Sequence, residues 1–199
     1  MKRIIVFAIL ILCNLPRAHS FLSDWPKDNK TDTTPHELLY DLPAFTPGTI
    51  FLKNGTTGTH LFNYNCFREE MQLLSGAGDT LKLIEPELMD SLVIGDRVYF
   101  YDKVYLLLIS RNNGYKIAIR KTIQSRAIEY IGTLNETDYF PVIGYFIGNR
   151  FNHFRIADKD GFLKIFSEKR DGLREYIKAN NIDFKKEEDI RKLFKYCST

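Results

Sequence analysis

The residues able to do chemistry are few and scattered. Beyond residue 20 three histidines remain, His36, His60 and His153. None stands in H-x-x-x-H or H-E-x-x-H spacing and no Cys-x-x-Cys occurs, so a zinc site has no support and no cofactor is expected. His153 falls on the polar side of an expected strand, where an imidazole is more often solvated than a general base. There is no G-x-S-x-G elbow, no P-loop, and no G-x-G-x-x-G after a strand. Gly76-Ala77-Gly78 lies between two expected strands with no helix behind it, which argues against nucleotide chemistry. Asp158-Lys159-Asp160-Gly161 opens like a calcium loop but lacks the closing acid, and a hairpin turn accounts for it. Carboxylates at Glu69-Glu70, at Glu85 and Glu87, and at Asp183 with Glu187–Asp189 could supply a glycosidase pair, which needs separations of roughly 5–10 Å. Nothing in the order of residues brings two of them together. No catalytic residue is assigned, and the chain reads as a non-enzyme, with a hydrolase the least favoured class.

Two residue sets remain. Cys66 and Cys197 could close a disulfide in an exported protein, or stay as two buried thiols that never meet. The aromatics number 15 Phe, 11 Tyr and 1 Trp and cluster at Phe62/Tyr64/Phe67, Tyr99/Phe100/Tyr101, Tyr139/Phe140 and Tyr145/Phe146. Of these Phe62, Tyr64, Tyr99 and Tyr101 are the candidate ligand-facing side chains. The competing reading is that aromatic residues suit strands and fill sheet cores. Asn29-Lys30-Thr31, Asn54-Gly55-Thr56 and Asn135-Glu136-Thr137 match the N-glycosylation pattern, which matters only in a eukaryotic secretory pathway.

The placement of charge says where such a chain works. Of 28 bases, Lys2, Arg3 and Arg17 lie in the first twenty residues, which hold no acid, so 25 bases face 25 acids beyond them. Those twenty residues have a basic start, an apolar run from Ile4 to Leu12, a break at Pro16, and Ala18-His19-Ser20 as a small-x-small cleavage site. They read as a secretory signal peptide cut after Ser20. An apolar stretch of about ten residues is short of the roughly 20 that span a bilayer. Leu12 before Cys13 argues against lipoprotein processing, which wants a small residue there. The mature chain is neutral and has no transmembrane helix, and neutrality argues against nucleic acid as a partner. The local surplus at residues 159–199, eleven bases against eight acids, is interleaved as on a solvated helix face. A 44% hydrophobic and 27% charged composition excludes a disordered tail, and a mean hydropathy of −0.24 excludes a polytopic membrane protein.

The elements follow from periodicity. Residues 21–47 read as an extended, proline-bearing arm whose Leu38-Leu39-Tyr40 patch docks on the body. From residue 48 short β-type runs alternate with turn signals: 49–53, 59–64, 70–74, 80–84, 92–94, 98–101, 104–110 and 115–123, then a hairpin of 151–157 with 161–166. Asn-Gly and Gly-Asp pairs supply positive φ for tight turns, so the order reads as a local antiparallel meander. The apolar run 105–109 offers side chains to both faces, as a central strand does. Residues 125–137 are ambiguous, with a long, mobile connection as one reading. Leu173, Tyr176 and Ile177, then Ile190, Leu193, Phe194 and Cys197, recur with helical spacing and mark two short amphipathic helices. The organisation expected is signal peptide 1–20, arm 21–47, β domain 48–167 and helical segment 168–199. The fold class is α+β, mainly β: an antiparallel meander forming a curved sheet or partly open barrel.

Tyr64-Asn65 with Glu70-Met71-Gln72, Asp79-Thr80-Leu81, and Val93-Ile94-Gly95-Asp96-Arg97-Val98-Tyr99 resemble a group of uncharacterised exported proteins common in Bacteroidetes. Tyr176-Ile177-Lys178 and Ile182–Ile190 are similar to the helical tail that ends many of them. The resemblance covers roughly residues 48–196. It implies an envelope location and a β body with a helical end, but no activity and no catalytic residue to carry over; Cys66 and Cys197 are not part of its pattern. Together these readings point to an exported, periplasmic, non-enzymatic module that contacts another envelope protein, with a small-ligand binder of lipid or sugar as the alternative.

Overall fold

The computed structural model describes residues 36–128 and 136–199. The expected signal peptide, the arm up to residue 35, Asn29 and Asn135 lie outside the described residues. Among the rest, ten strands form one antiparallel sheet: β1 (Thr46–Leu52), β2 (Thr57–Asn65), β3 (Glu70–Leu74), β4 (Thr80–Lys82), β5 (Met89–Ile94), β6 (Arg97–Asp102), β7 (Val104–Asn112), β8 (Tyr115–Ile128), β9 (Glu136–Gly148) and β10 (Phe154–Ile156). The helices are α1 (His36–Leu39), α2 (Lys159–Ile165), α3 (Arg170–Ala179) and α4 (Glu187–Ser198). No described helix is long and apolar enough to cross a membrane.

The strand order is β10-β9-β8-β7-β6-β5-β1-β2-β3-β4. The meander expected from turn residues holds from β5 to β10 and from β1 to β4, but breaks once. β5 returns to the far side of β1, with Gly48 opposite Ile94 and Thr49 opposite Val93. The crossing is tight at Gly48, where a β-carbon would lie 2.7 Å from the Val93 carbonyl oxygen and 3.0 Å from the Phe62 ring. Only glycine fits there without movement of the backbone. Asn113-Gly114, both at positive φ, form the β7–β8 turn as read from sequence. Residues 125–128 extend β8 and residues 136–137 open β9, so much of the expected long connection is strand.

The larger correction is at residues 161–166. The expected hairpin partner of β10 is instead α2, and the calcium-like Asp158–Gly161 segment is a helix start rather than a hairpin turn. Asp158 accepts a hydrogen bond from the Gly161 backbone N–H at 2.7 Å, an N-cap that favours helix over strand. A β-carbon on Gly161 would lie 1.9 Å from the Ile156 carbonyl oxygen, so the first turn can seat against β10 only with glycine. Helical structure therefore begins at Lys159 rather than 168, and three C-terminal helices stand where two were expected. α3 is closed by Asn181, two residues past its end, in the left-handed region at φ 48. The Ile182 N–H returns to Ile177 and the Asn181 N–H to Lys178, a Schellman closure that turns the chain toward α4.

Two buried clusters hold the molecule. One joins Ile117 and Ile147 of the sheet to Phe162, Leu173, Ile190 and Leu193 of the helices. The other lies within the curl of β1–β7 and gathers Phe62, Tyr64, Met71, Leu92, Ile94 and Tyr99. The sheet bends far enough that the turn after β2 reaches β8. There the Ile123 N–H donates to the Cys66 carbonyl at 3.1 Å, and Arg120 forks onto Glu69 at 2.7 and 2.8 Å. No ladder runs between β2 and β8, so the sheet is curled but not closed.

Candidate functional site

The seam between β2 and β8 is where titratable groups converge. Leu38-Leu39-Tyr40 docks as expected: Cys66 N–H donates to Leu39 O at 2.7 Å, and Tyr40 bridges to Asn65. Next in the chain, Asp41 N–H donates to Tyr64 O at 2.9 Å. Leu42 is clamped by the buried Asn63 amide, which accepts from its N–H at 3.1 Å and donates to its carbonyl at 2.8 Å. Residues 39–42 thus continue the line of β1 along the end of β2, as a strap across the mouth of the curl.

That backbone course drives the Asp41 side chain inward, where it is only 2% exposed. Its Oδ2 accepts from Arg97 Nη1 and from the Tyr99 hydroxyl, and its Oδ1 accepts from Lys121 Nζ. Arg97 Nη1 also donates to the Asp41 carbonyl at 3.0 Å. The donors stand on β6 and β8, with Arg97 and Tyr99 two residues apart on one face of β6. Arg97 and Lys121 keep 29% and 30% of their side chains exposed, so the buried carboxylate lies beneath two cations that reach solvent. Burial alone would push the Asp41 carboxyl up, but hydrogen bonds from Lys121, Tyr99 and Arg97 outweigh it and hold the group below the usual carboxylate range. Burial and then the Asp41 charge raise the Tyr99 phenol. The site is a saturated carboxylate, suited to holding two strands and a strap together. A general acid or base needs a proton it can exchange near neutral pH.

Cys66 follows directly on β2. Its buried thiol is pushed up to about 12, by burial first and the Asp41 charge second, which leaves it a poor nucleophile. Cys197 sits on α4 in the other cluster, likewise free, buried and raised to about 12 by burial. The two thiols belong to different cores and do not pair, so the possible bridge is replaced by the two-thiol alternative. The candidate ligand-facing aromatics are placed similarly. Phe62, Tyr64 and Tyr99 are core side chains, and Tyr101 packs half-buried on Tyr105 with ring centroids 4.9 Å apart. The Tyr64 hydroxyl is buried with no hydrogen-bond partner among the described residues. Two shallow clefts, of about 260 and 360 Å³, lie along Ser167–Lys169 beside the C-terminal helices and not among these aromatics. Among the described residues no three His, Cys, Asp or Glu side chains gather as a metal site would need.

A second feature lies at the β9–β10 turn. Asn149 organises it, accepting from the N–H groups of Phe151 at 2.9 Å and His153 at 3.2 Å. Asn152 takes a positive φ of 59. Phe154 anchors the turn from below: its N–H donates to Asp102 Oδ2 at 2.7 Å and its ring meets Phe100 at 5.8 Å. On this frame Phe151 and Ile156 are 65% and 63% exposed. Arg150 lies over the Phe151 ring at 4.9 Å, and no acid occurs between Asp138 and Asp158.

No family model, curated protein or solved structure matches the chain.

Neither feature was singled out from sequence. Asp41 meets partners 56, 58 and 80 positions away, a separation no local pattern encodes. Arg97 and Tyr99 did fall inside the segment 93–99 that carried the resemblance. The segment 149–156 had a readable signal, two large apolar residues each preceded by an arginine in a stretch without acids.

Proposed function

We propose that the mature chain is an exported, periplasmic protein without catalytic activity that works by contacting another envelope protein through the β9–β10 turn. The observation that carries this reading is the pinned turn itself, on which Phe151 and Ile156 stand in solvent among Arg150, His153 and Arg155. Large apolar side chains held out on a rigid frame, with Arg beside them, are the usual anchors of protein interfaces. The export assignment rests on the first twenty residues. Support for a non-catalytic role comes from the use of Asp41, which is committed to three donors. The small-ligand alternative loses support because three of the four aromatics that would line a cup fill the core.

A photocrosslinking residue placed at Phe151 or Ile156 in cells should give a discrete protein adduct in envelope extracts. The adduct should disappear when Arg150 and Arg155 are changed to Glu, and should be absent when the crosslinker stands at Lys164. No adduct at either position, or the same adducts at Lys164, would overturn the reading.

A further inference from the structure

The Asp41 pocket has the composition of a carboxylate receptor. Its three donors, an Arg, a Lys and a Tyr hydroxyl, all belong to the sheet, whereas the carboxylate comes from a strap outside it. Two cations face one anion, and both reach solvent at about a third of their surface. The strap is held beside the pocket by hydrogen bonds of Leu39 and Asp41 to the end of β2, of Leu42 to Asn63, and of the Tyr40 hydroxyl to Gln72 Oε1 at 2.9 Å, and by the packing of Leu42 on the inner cluster. Charge-assisted hydrogen bonds from Arg and Lys on different strands are a common means of binding an acid, and a phenol adds direction.

We propose that Arg97, Tyr99 and Lys121 form a carboxylate-binding site whose built-in occupant is Asp41, so that residues 39–42 act as a displaceable strap. An incoming carboxylate that takes the pocket releases Asp41. With it go the strap and the support that the strap gives to the β2–β8 seam at Cys66 and Ile123. The occupant chemistry is a single carboxylate, either a free organic acid or an acidic side chain on a peptide.

The test is chemical rescue in the full mature chain. Asp41→Ala removes the built-in occupant and with it the side-chain contacts that tie the strap to β6 and β8. Acetate, at roughly 100 mM against an equal concentration of chloride, should raise the melting midpoint of this variant in a saturable way, because a ligand stabilises only the state that binds it, and in the wild type it should speed hydrogen exchange at the Asp41 and Leu42 amides that tie the strap to Tyr64 and Asn63. N-acetyl-aspartate N-methylamide is the second arm. Rescue at lower concentration than acetate assigns a peptide carboxylate, and rescue by acetate alone assigns a free acid. If Asp41→Ala does not fold unaided, its yield of refolding from urea with and without acetate gives the same reading. Adding Lys121→Met to Asp41→Ala should abolish rescue. Equal responses to acetate and chloride, rescue that survives Lys121→Met, or strap amide exchange in the wild type that acetate leaves unchanged, would show that Asp41 is a fixed structural group and overturn the proposal.

Discussion

At the scale of the residue, Asp41 makes a pH prediction whose sign is set by its neighbours. Its carboxyl titrates lower in the folded chain than in the unfolded one. Its stabilisation is therefore present above the unfolded value of about 3.9 and is lost as pH falls through the lower folded value. Asp41→Asn should cost about 1.5–3 kcal/mol at pH 7, the range for hydrogen bonds to a charged group. The gap from wild type should close as pH approaches the folded value, which urea unfolding from neutral to strongly acidic pH will show. A constant gap across that range would mean that shape, and not charge, is what Asp41 supplies. The thiols act in the opposite direction. Both are raised to about 12, so the unfolded chain ionises first and their contribution is lost as pH rises above about 8.5 toward the folded values. Single residues were the least readable part of the sequence. Cys66 and the aromatics were found by type, but whether a tyrosine lines a cup or fills a core depends on how far the sheet curls. Tyr64 and Tyr99, with ring centroids 6.2 Å apart, are inside because it curls far.

Elements were more readable, because their signals are local. Asn113-Gly114 marked its turn, and the spacing of Leu173, Tyr176 and Ile177 marked α3. The failure at 161–166 is informative. A short apolar run of Phe162, Leu163, Ile165 and Phe166 fits either a strand or a helix, and the deciding interactions are the Asp158 cap and the contact of Gly161 with β10. Edge protection is another property of single elements. The Tyr145 carbonyl faces outward from β9 to accept from Ala157 at 2.8 Å, so by the period of two Ile143 and Pro141 face the same way. Pro141 has no N–H to offer there, and a free edge is thereby blunted. Pro141→Thr should create concentration-dependent self-association, visible as a second, earlier peak in size-exclusion chromatography. A monomeric variant at all concentrations would mean that something else guards this edge.

For the whole molecule the two clusters divide the labour. The helical cap depends on contacts that cross between α4 and the sheet, and Ile190 is wholly buried at that junction. Ile190→Ala should lower stability by about 2–5 kcal/mol in denaturant unfolding, with amide protection lost first in α3 and α4. The end of α4 is tied to the sheet as well. Asn112 and Asn113 donate to the Ser198 carbonyl at 3.2 and 2.6 Å, and Lys169 to that of Cys197 at 2.9 Å, which satisfies carbonyls that a helix end leaves open. Mainly antiparallel sheet with a helical end was readable from turn residues and periodicity. The return of β5 to β1 was not, because two meanders and one broken meander have the same local signals. That return also orders events in time. As the chain emerges from its N-terminus, β1 can pair with β2 at once, but its other edge waits for Met89–Ile94, some forty residues later. Until then an apolar strand edge stays open, and pairing across such a separation is slow. A chaperone would have most effect during that interval, and the early half of the chain is where misassembly would begin.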